Sequence, residues 1–416
     1  MLRRGLLYIM WICCIVFSRP SQCQKLTLDG AIGEALIKNP ELLKACQELK
    51  AVNADVWEGI SPEYPELFVE WEGIPEGVRS LSGFEEKKTG IAQGFEFPLA
   101  YVFKGVSFRQ RQKRAAAEYL MLKNRVVSEV KKRFYRVLLL EQQVLLYESI
   151  VQVTKDVFQK ARVRVLAGDS SPYDTLKVRV DLTEVENRLF TLQKGEEVSR
   201  TELKQILGRS MENPLDVEGV LEYKAISLRL DSLFQTALFW HPMMGMVNAQ
   251  IGQMRAERNL AWTEILPQFH VRYFRQEFNG VNPAKGWGGE VGLSVPLWFF
   301  LRGQGRIRSA SHRARAAEFE AESVRRSVRL GVDRAFAQLQ VAEKHVQNYE
   351  ENTLRQVDEL VRIATRSYEE GEMGYLELAE ALRTMNRVNV DYFDSLFQVL
   401  AAQADIELAV GTVLGR

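Results

Sequence analysis

Residues 287–297, Trp287-Gly288-Gly289-Glu290-Val291-Gly292-Leu293-Ser294-Val295-Pro296-Leu297, alternate in character along their whole length. Trp287, Gly289, Val291, Leu293, Val295 and Leu297 fall on one side of an extended chain, and Gly288, Glu290, Gly292 and Ser294 on the other, because successive side chains of a strand point to opposite faces. A strand of about ten residues with one apolar and one polar face matches the wall of a transmembrane β-barrel. Alternation alone also fits a soluble hairpin with one buried face, so the flanking sequence has to decide. Trp298, Phe299 and Phe300 follow at once, then Arg302, Arg306 and Arg308. In an earlier stretch Tyr101 and Phe103 stand before or beside Lys104, Arg109, Arg111 and Lys113. Aromatic residues followed by cations are what a membrane edge selects.

That earlier stretch belongs to an internal duplication. Asn39-Pro40 recurs as His241-Pro242 and Pro65 as Pro267, 202 residues on; Pro98 recurs as Pro296, offset 198; Gly168 recurs as Gly371 and Gly208 as Gly411, offset 203. Such order among helix breakers implies two halves that fold alike. Each half reads as helix, strand, strand, very long helix, turn, helix. Asn39 caps a helix from Pro40 towards Trp57. Leu67, Val69 and Trp71 then alternate with Glu66, Phe68, Glu70 and Glu72, the chain returns over Thr89–Phe97, and Phe269, Val271 and Tyr273 alternate with Gln268, His270 and Arg272. From Gly105 to about Ala167, and from Gly303 to about Glu370, apolar residues recur at helical spacing, including Val126, Val130, Phe134 and Val137, and Val328, Val332, Leu339, Val346, Leu354 and Val357. The boundaries are a leader at 1–23, a first repeat at 24–208, a linker with a short strand at 209–226 and a second repeat at 227–416.

The 416 residues include 55 Lys or Arg and 54 Asp or Glu, a formal charge of +1. That balance argues against a nucleic-acid binder held by bulk charge. A mean hydropathy of -0.19 excludes a polytopic helical membrane protein. Arg3 and Arg4 before the apolar run Leu6–Phe17, followed by Ser18, Arg19 and Pro20, read as a secretory signal peptide cut near Gln24. Cys13 and Cys14 leave with it and Cys23 sits at the cut, where Pro20-Ser21-Gln22 does not favour lipidation. Cys46 remains, so no disulfide framework is expected.

Four amphipathic strands cannot close a barrel, and an open edge in lipid leaves backbone groups unsatisfied. Identical chains must therefore share one wall, a dimer giving eight strands and a trimer twelve with the beginnings of a lumen. The opening Leu26-Thr27-Leu28-Asp29 with Ala31, Ala35-Leu36 and Asn39-Pro40, the strand pairs, and above all Tyr368-Glu369-Glu370-Gly371-Glu372-Met373-Gly374-Tyr375-Leu376-Glu377-Leu378 resemble the TolC-like outer-membrane efflux proteins. The first-half counterpart of that last motif is Val165-Leu166-Ala167-Gly168-Asp169-Ser170-Ser171-Pro172-Tyr173-Asp174, whose Ser-Pro turn is reminiscent of the heavy-metal efflux branch.

The resemblance implies a mainly α fold with a small β part: four transmembrane strands and long antiparallel helices per chain, three chains forming a 12-strand β-barrel continued by an α-helical barrel. It also implies a homotrimer in the outer membrane, extending into the periplasm. There it would work with a periplasmic adaptor and an inner-membrane transporter as the exit duct of a tripartite efflux or type I secretion system. By the same resemblance Glu377 and Glu380, with Asp174 and the nearby Lys177 in the first half, fall where the family closes its periplasmic gate. Gly168, Asp169, Ser170 and Ser171, with Gly371, Glu372 and Gly374, form the adaptor-docking turns. Met373 stands where the family often has a basic residue, so the latch of the closed state is expected to differ.

Catalytic signals are poor. His241, His270, His312 and His345 are scattered, without an HExxH motif or Cys partners, so no metal or cofactor site and no enzyme activity are expected. His241 before Pro242 reads as a cap or turn residue. Gly303-Gln304-Gly305 lacks a third glycine at Arg308 and reads as a strand-to-helix junction. The competing class is a soluble periplasmic coiled-coil adaptor or scaffold.

Overall fold

The computed structural model describes residues 25–74, 76–77, 81–168, 171–279 and 283–414; the leader and Cys23 lie outside the described residues. The first half comprises α1 (Leu28–Lys38), α2 (Pro40–Ile60), β1 (Glu66–Glu72), β2 (Glu86–Phe95), α3 (Pro98–Ala167) and α4 (Pro172–Leu207). The second repeats it as α5 (Leu230–Trp240), α6 (Pro242–Thr263), β3 (Gln268–Phe278), β4 (Ala284–Ser294), α7 (Phe299–Asn348), a π-turn (Tyr349–Thr353), α8 (Leu354–Glu370) and α9 (Tyr375–Val410).

Several boundaries differ from the sequence reading, each for a local reason. Every half opens with two helices rather than one. Asn39 and His241 are extended, with ψ of 122° and 125°, because a residue before proline is pushed out of the helical region. The long helices begin at Pro98 and Phe299, so Gly105 and Gly303 lie inside them; Pro98 is tolerated at a first position, where no N–H is needed. The second long helix is interrupted by the π-turn. β4 starts earlier than expected and stops at Ser294, since Pro296 has no N–H for a ladder and the Leu297 N–H turns back to the Val295 carbonyl at 2.9 Å. β2 likewise runs Glu86–Phe95 instead of Thr89–Phe97.

The two proline junctions are capped by different side chains. Asn39 Oδ1 accepts from the Leu42 N–H at 3.1 Å while its Nδ2 donates to the Ile206 carbonyl at 2.8 Å. His241 Nδ1 accepts from the Met243 N–H at 3.2 Å, which makes it a cap, one of the two roles its place before Pro242 suggested. Burial pushes the His241 pKa below its usual value. The unfolded chain therefore takes up a proton first, and stability falls as pH drops below about 6.5. His241→Asn keeps an N-cap acceptor and is expected to remove this part of the acid sensitivity, read as a flatter dependence of melting temperature between about pH 8 and pH 5.

The chain divides into two units. Of the described residues, one unit comprises those from 25 to 43, 122 to 237 and 331 to 414; its core contains Phe134, Val137, Leu203, Leu207, Val332, Val399 and Ile406, all buried. The linker lies on this core, with Leu215, Val217 and Leu221 buried and Val217 forming a parallel bridge to Leu26. The other comprises residues 44–121 and 238–330 and holds the sheet, with buried Ala249, Ala256, Ala314 and Ala317 between its helices.

Gly208 ends α4 in the left-handed conformation at φ +71°, and a Cβ there would lie 2.4 Å from the Lys38 carbonyl oxygen. Gly371, at φ +80°, has open space around it. Gly208→Ala is accordingly expected to lower unfolding stability by about 2 kcal/mol and Gly371→Ala by about 1 kcal/mol, measured by denaturant titration.

Candidate functional site

The four strands form one antiparallel sheet in the order β1-β2-β3-β4, the β2–β3 pairing joining the halves. Register assembles one face in rows: Phe95, Phe269 and Leu293; Gln93, Val271 and Val291; Leu67, Ile91, Tyr273 and Gly289; Val69, Thr89, Arg275 and Trp287. At the loop end the next row is Trp71, Lys87, Glu277 and Lys285. Leu67 is 84% exposed, Val291 79% and Trp287 68%, so large apolar side chains stand outward where a soluble hairpin would bury them. The four rows cover about 20 Å along a strand. Gln93 belongs to them without leaving an open donor, because its amide donates to the Glu63 and Gly94 carbonyls at 2.7 and 2.8 Å.

The opposite face is polar. Arg272 pairs with Glu70 and with Glu290, the latter at 3.3 Å, Lys88 lies 3.2 Å from both Glu72 and Glu86, and His270 lies 3.6 Å from Glu290. Phe274 and His270 lie flat on this face, over Gly288 and Gly292. Among the described residues β1 and β4 each have one strand neighbour, which leaves two open edges.

After β4, Leu297 and Trp298 are 73% and 71% exposed, and Phe299 is partly so; the side chain of Phe300 lies outside the description. Tyr101 and Phe103 are half-buried within α3. The Tyr101 hydroxyl accepts from the Glu96 N–H at 3.2 Å, and its ring lies under Lys104, which pairs with Glu96 at 2.7 Å.

At the far ends of the long helices, Gly168 and Gly371 both turn the chain at positive φ. Ser171 caps α4 through the Tyr173 N–H at 3.2 Å, with Pro172 at the first position, and Gly374 caps α9. Asp169 and Ser170 lie outside the described residues. Glu372, Glu377 and Glu380 are exposed, and Asp174 is half-buried at the start of α4. Glu380 is 3.9 Å from Arg383.

The centre of this tip is a residue the sequence reading passed over. Asp181 is 8% exposed and accepts from the Tyr375 hydroxyl at 2.9 Å and from Arg383 at 2.7 Å, with Lys177 at 3.5 Å. Burial, then the hydrogen bond to Asp181, pushes the Tyr375 phenol up. These contacts tie α4 to α9 around a core of Ala161, Val178, Ala364, Tyr368, Leu378 and Ala379. One signal was available: Asp181 and Arg383 are 202 residues apart, as are Glu70 and Arg272. Each ion pair thus joins positions that the duplication makes equivalent, or nearly so, with opposite charges.

A family model described as Outer membrane efflux protein matches residues 31–209 and 233–412, one segment in each half. The chain belongs to the outer membrane efflux protein family. It is similar to the cobalt-zinc-cadmium resistance protein CzcC of Cupriavidus metallidurans, 24% identical over 391 residues that cover 93% of this chain and 90% of that one. Its fold is that of solved channels. It matches CusC at a TM-score of 0.78 with 17% identity over 92% of both chains. It matches the open state of the Neisseria gonorrhoeae MtrE outer membrane channel at 0.77 with 15% identity, over 94% of this chain and 90% of that one. This efflux protein is therefore an outer-membrane channel component extending into the periplasm, and the soluble scaffold is the disfavoured reading. The family's members are channels rather than enzymes. Among the described residues no helix is long and apolar enough to cross a membrane, and no group of three or more His, Cys, Asp or Glu could hold a metal ion.

Proposed function

We propose that three copies of this efflux protein close their sheets into one twelve-stranded wall and act as a passive exit duct for divalent metal cations, with no catalytic step of their own. The observation that carries this reading is the sheet itself, mainly apolar on one face, where Arg275 stands in the row nearest the loop end and pairs with Glu277, charged on the other, and open at both edges among the described residues. In lipid the edges require partners, and identical chains supply them by rotation. Three rather than two leaves a bore for the polar face to line. The cargo class rests on the likeness to a cobalt-zinc-cadmium resistance protein.

An adaptor and an inner-membrane pump complete the system. The turns at Gly168–Ser171 and Gly371–Gly374 are its docking points, flanked by exposed Leu166, Tyr173, Leu176 and Leu376. Glu377 and Glu380 lie on the first turns of α9 at i, i+3 and share a side of the helix. Repeated by threefold rotation, they make a carboxylate ring that draws cations and narrows the periplasmic end. Trp298 and Phe299 mark the membrane edge in the second half, and Tyr101 and Phe103 its first-half counterpart.

The test is the detergent-purified protein in a planar bilayer. A mass of three chains and a cation-selective conductance are expected, with selectivity reduced about threefold in Glu377→Gln/Glu380→Gln, as removal of a pore-lining charge ring requires. A monomer in buffer without detergent rejects the duct.

A further inference from the structure

The apolar stripe of the second long helix changes phase once. Buried Val328, Val332, Ala335, Leu339, Ala342 and Val346 follow the alternating four-and-three rhythm of packed helices. Continued past Val346, that rhythm places burial at positions 356, 363 and 367. The buried residues are Val357, Ala364 and Tyr368, each one position later. A single extra residue in an unbroken α-helix would rotate the stripe by about 100°. The π-turn Tyr349–Thr353 absorbs it, and Thr353 Oγ1 donates to the Asn348 carbonyl at 3.2 Å, five residues back.

Two features coincide with that turn. On α9 the Tyr392 hydroxyl donates to Glu350 at 3.0 Å, and its ring centre lies 6.3 Å from that of Tyr349. α3, α4 and α9 also leave a cavity of about 610 Å³, lined by none of the π-turn residues but reaching Asp391, the chain neighbour of Tyr392, and lined further by Thr154, Asp181, Arg188, Asn386 and Arg387. The buried Asn386 Oδ1 has no hydrogen-bond partner. α9 has buried residues from Tyr375 to Ala381 and again from Ser395, with none fully buried between. On α4 nothing is buried between Asp181 and Leu192, whereas on α3 the buried Ile150 and Val151 lie between the tip core and the next cluster of Leu140, Val144 and Leu192, so the thinning is confined to α4 and α9. Sparse packing beside a break in the hydrogen-bond ladder is where a helical assembly gives way most easily.

We propose that the π-turn is a hinge about which α8 and the turn at Gly371 that it carries swing against the unbroken α3 and α4, the Tyr392–Glu350 bond holding the resting position. The inference rests on the duct reading and names the moving part behind Glu377 and Glu380. Deleting the exposed Glu351 allows the helix to run through as α while Val346 and Val357 keep a common face, so the core stays in register.

In planar bilayers the deletion variant is expected to remain a trimer with wild-type melting but to open about tenfold less often, and Tyr392→Phe, which breaks only the cross-helix bond, to open several-fold more often. A trimeric deletion variant that opens like wild type overturns the hinge. Should that variant fail to assemble, wild-type opening in Tyr392→Phe overturns it. Wild-type protein that never conducts rejects the duct, and the hinge with it, and is recognised before either variant is compared.

Discussion

Val291→Arg is expected to keep the chain out of the outer membrane. Val291 stands 79% exposed in the row it shares with Gln93 and Val271, between the rows of Leu293 and Gly289. A guanidinium on the lipid face near the midplane costs about 2–4 kcal/mol per chain. Repeated in the three chains of the proposed trimer, that is about 6–12 kcal/mol, comparable with the whole stability of a folded domain. Ser294→Arg places the same charge on the opposite face of the same strand and is expected to insert as wild type. Membrane fractionation and trimer yield separate the two. Equal insertion of both variants would mean that lipid does not touch the Val291 face.

The second large effect is expected from Asp181→Ala. It leaves the buried Tyr375 hydroxyl and the Arg383 guanidinium without their common acceptor. Breaking a buried charge-assisted contact typically costs 3–5 kcal/mol; Arg383 is half-exposed and can turn to water, which favours the lower end, about 3 kcal/mol. The loss falls at the tip, so amide hydrogen exchange should rise over residues 171–181 and 375–383 while the core around Phe134 and Val399 keeps its protection. Global destabilisation without this local change would assign Asp181 to general folding instead.

Sequence made the strands legible because alternation in period two leaves few alternatives for Leu67–Trp71 or Trp287–Leu293. The duplication was equally open to inspection, since Pro and Gly mark turns for steric reasons that do not depend on context. What escaped were features set by packing. The π-turn appears as a one-residue slip between Val346 and Val357, recognisable only when the truly buried members of a long apolar list are known. Asp181 sits in no motif; its importance comes from being enclosed by Tyr375 and Arg383 on another helix. The aromatic residues beside the strands looked alike in composition, yet Trp298 is presented outward while Tyr101 is held by Glu96 and Lys104. The start of α3 at Pro98 was obscured for a related reason: a glycine at 105 marks a break on average, and tertiary packing overrides such an average.

The glycines of the polar face carry a consequence for the size of the passage. A Cβ at Gly288 would come within 2.6 Å of the Phe274 ring, and one at Gly292 within 1.9 Å of His270 Nε2. Both rings can recline only because nothing projects beneath them. With bulkier residues at 288 and 292 the rings would have to stand upright, projecting further from the polar face. In the proposed duct, whose bore this face lines, the calibre would thus be governed by side chains that are missing, and a narrower variant could be made without altering a single backbone hydrogen bond.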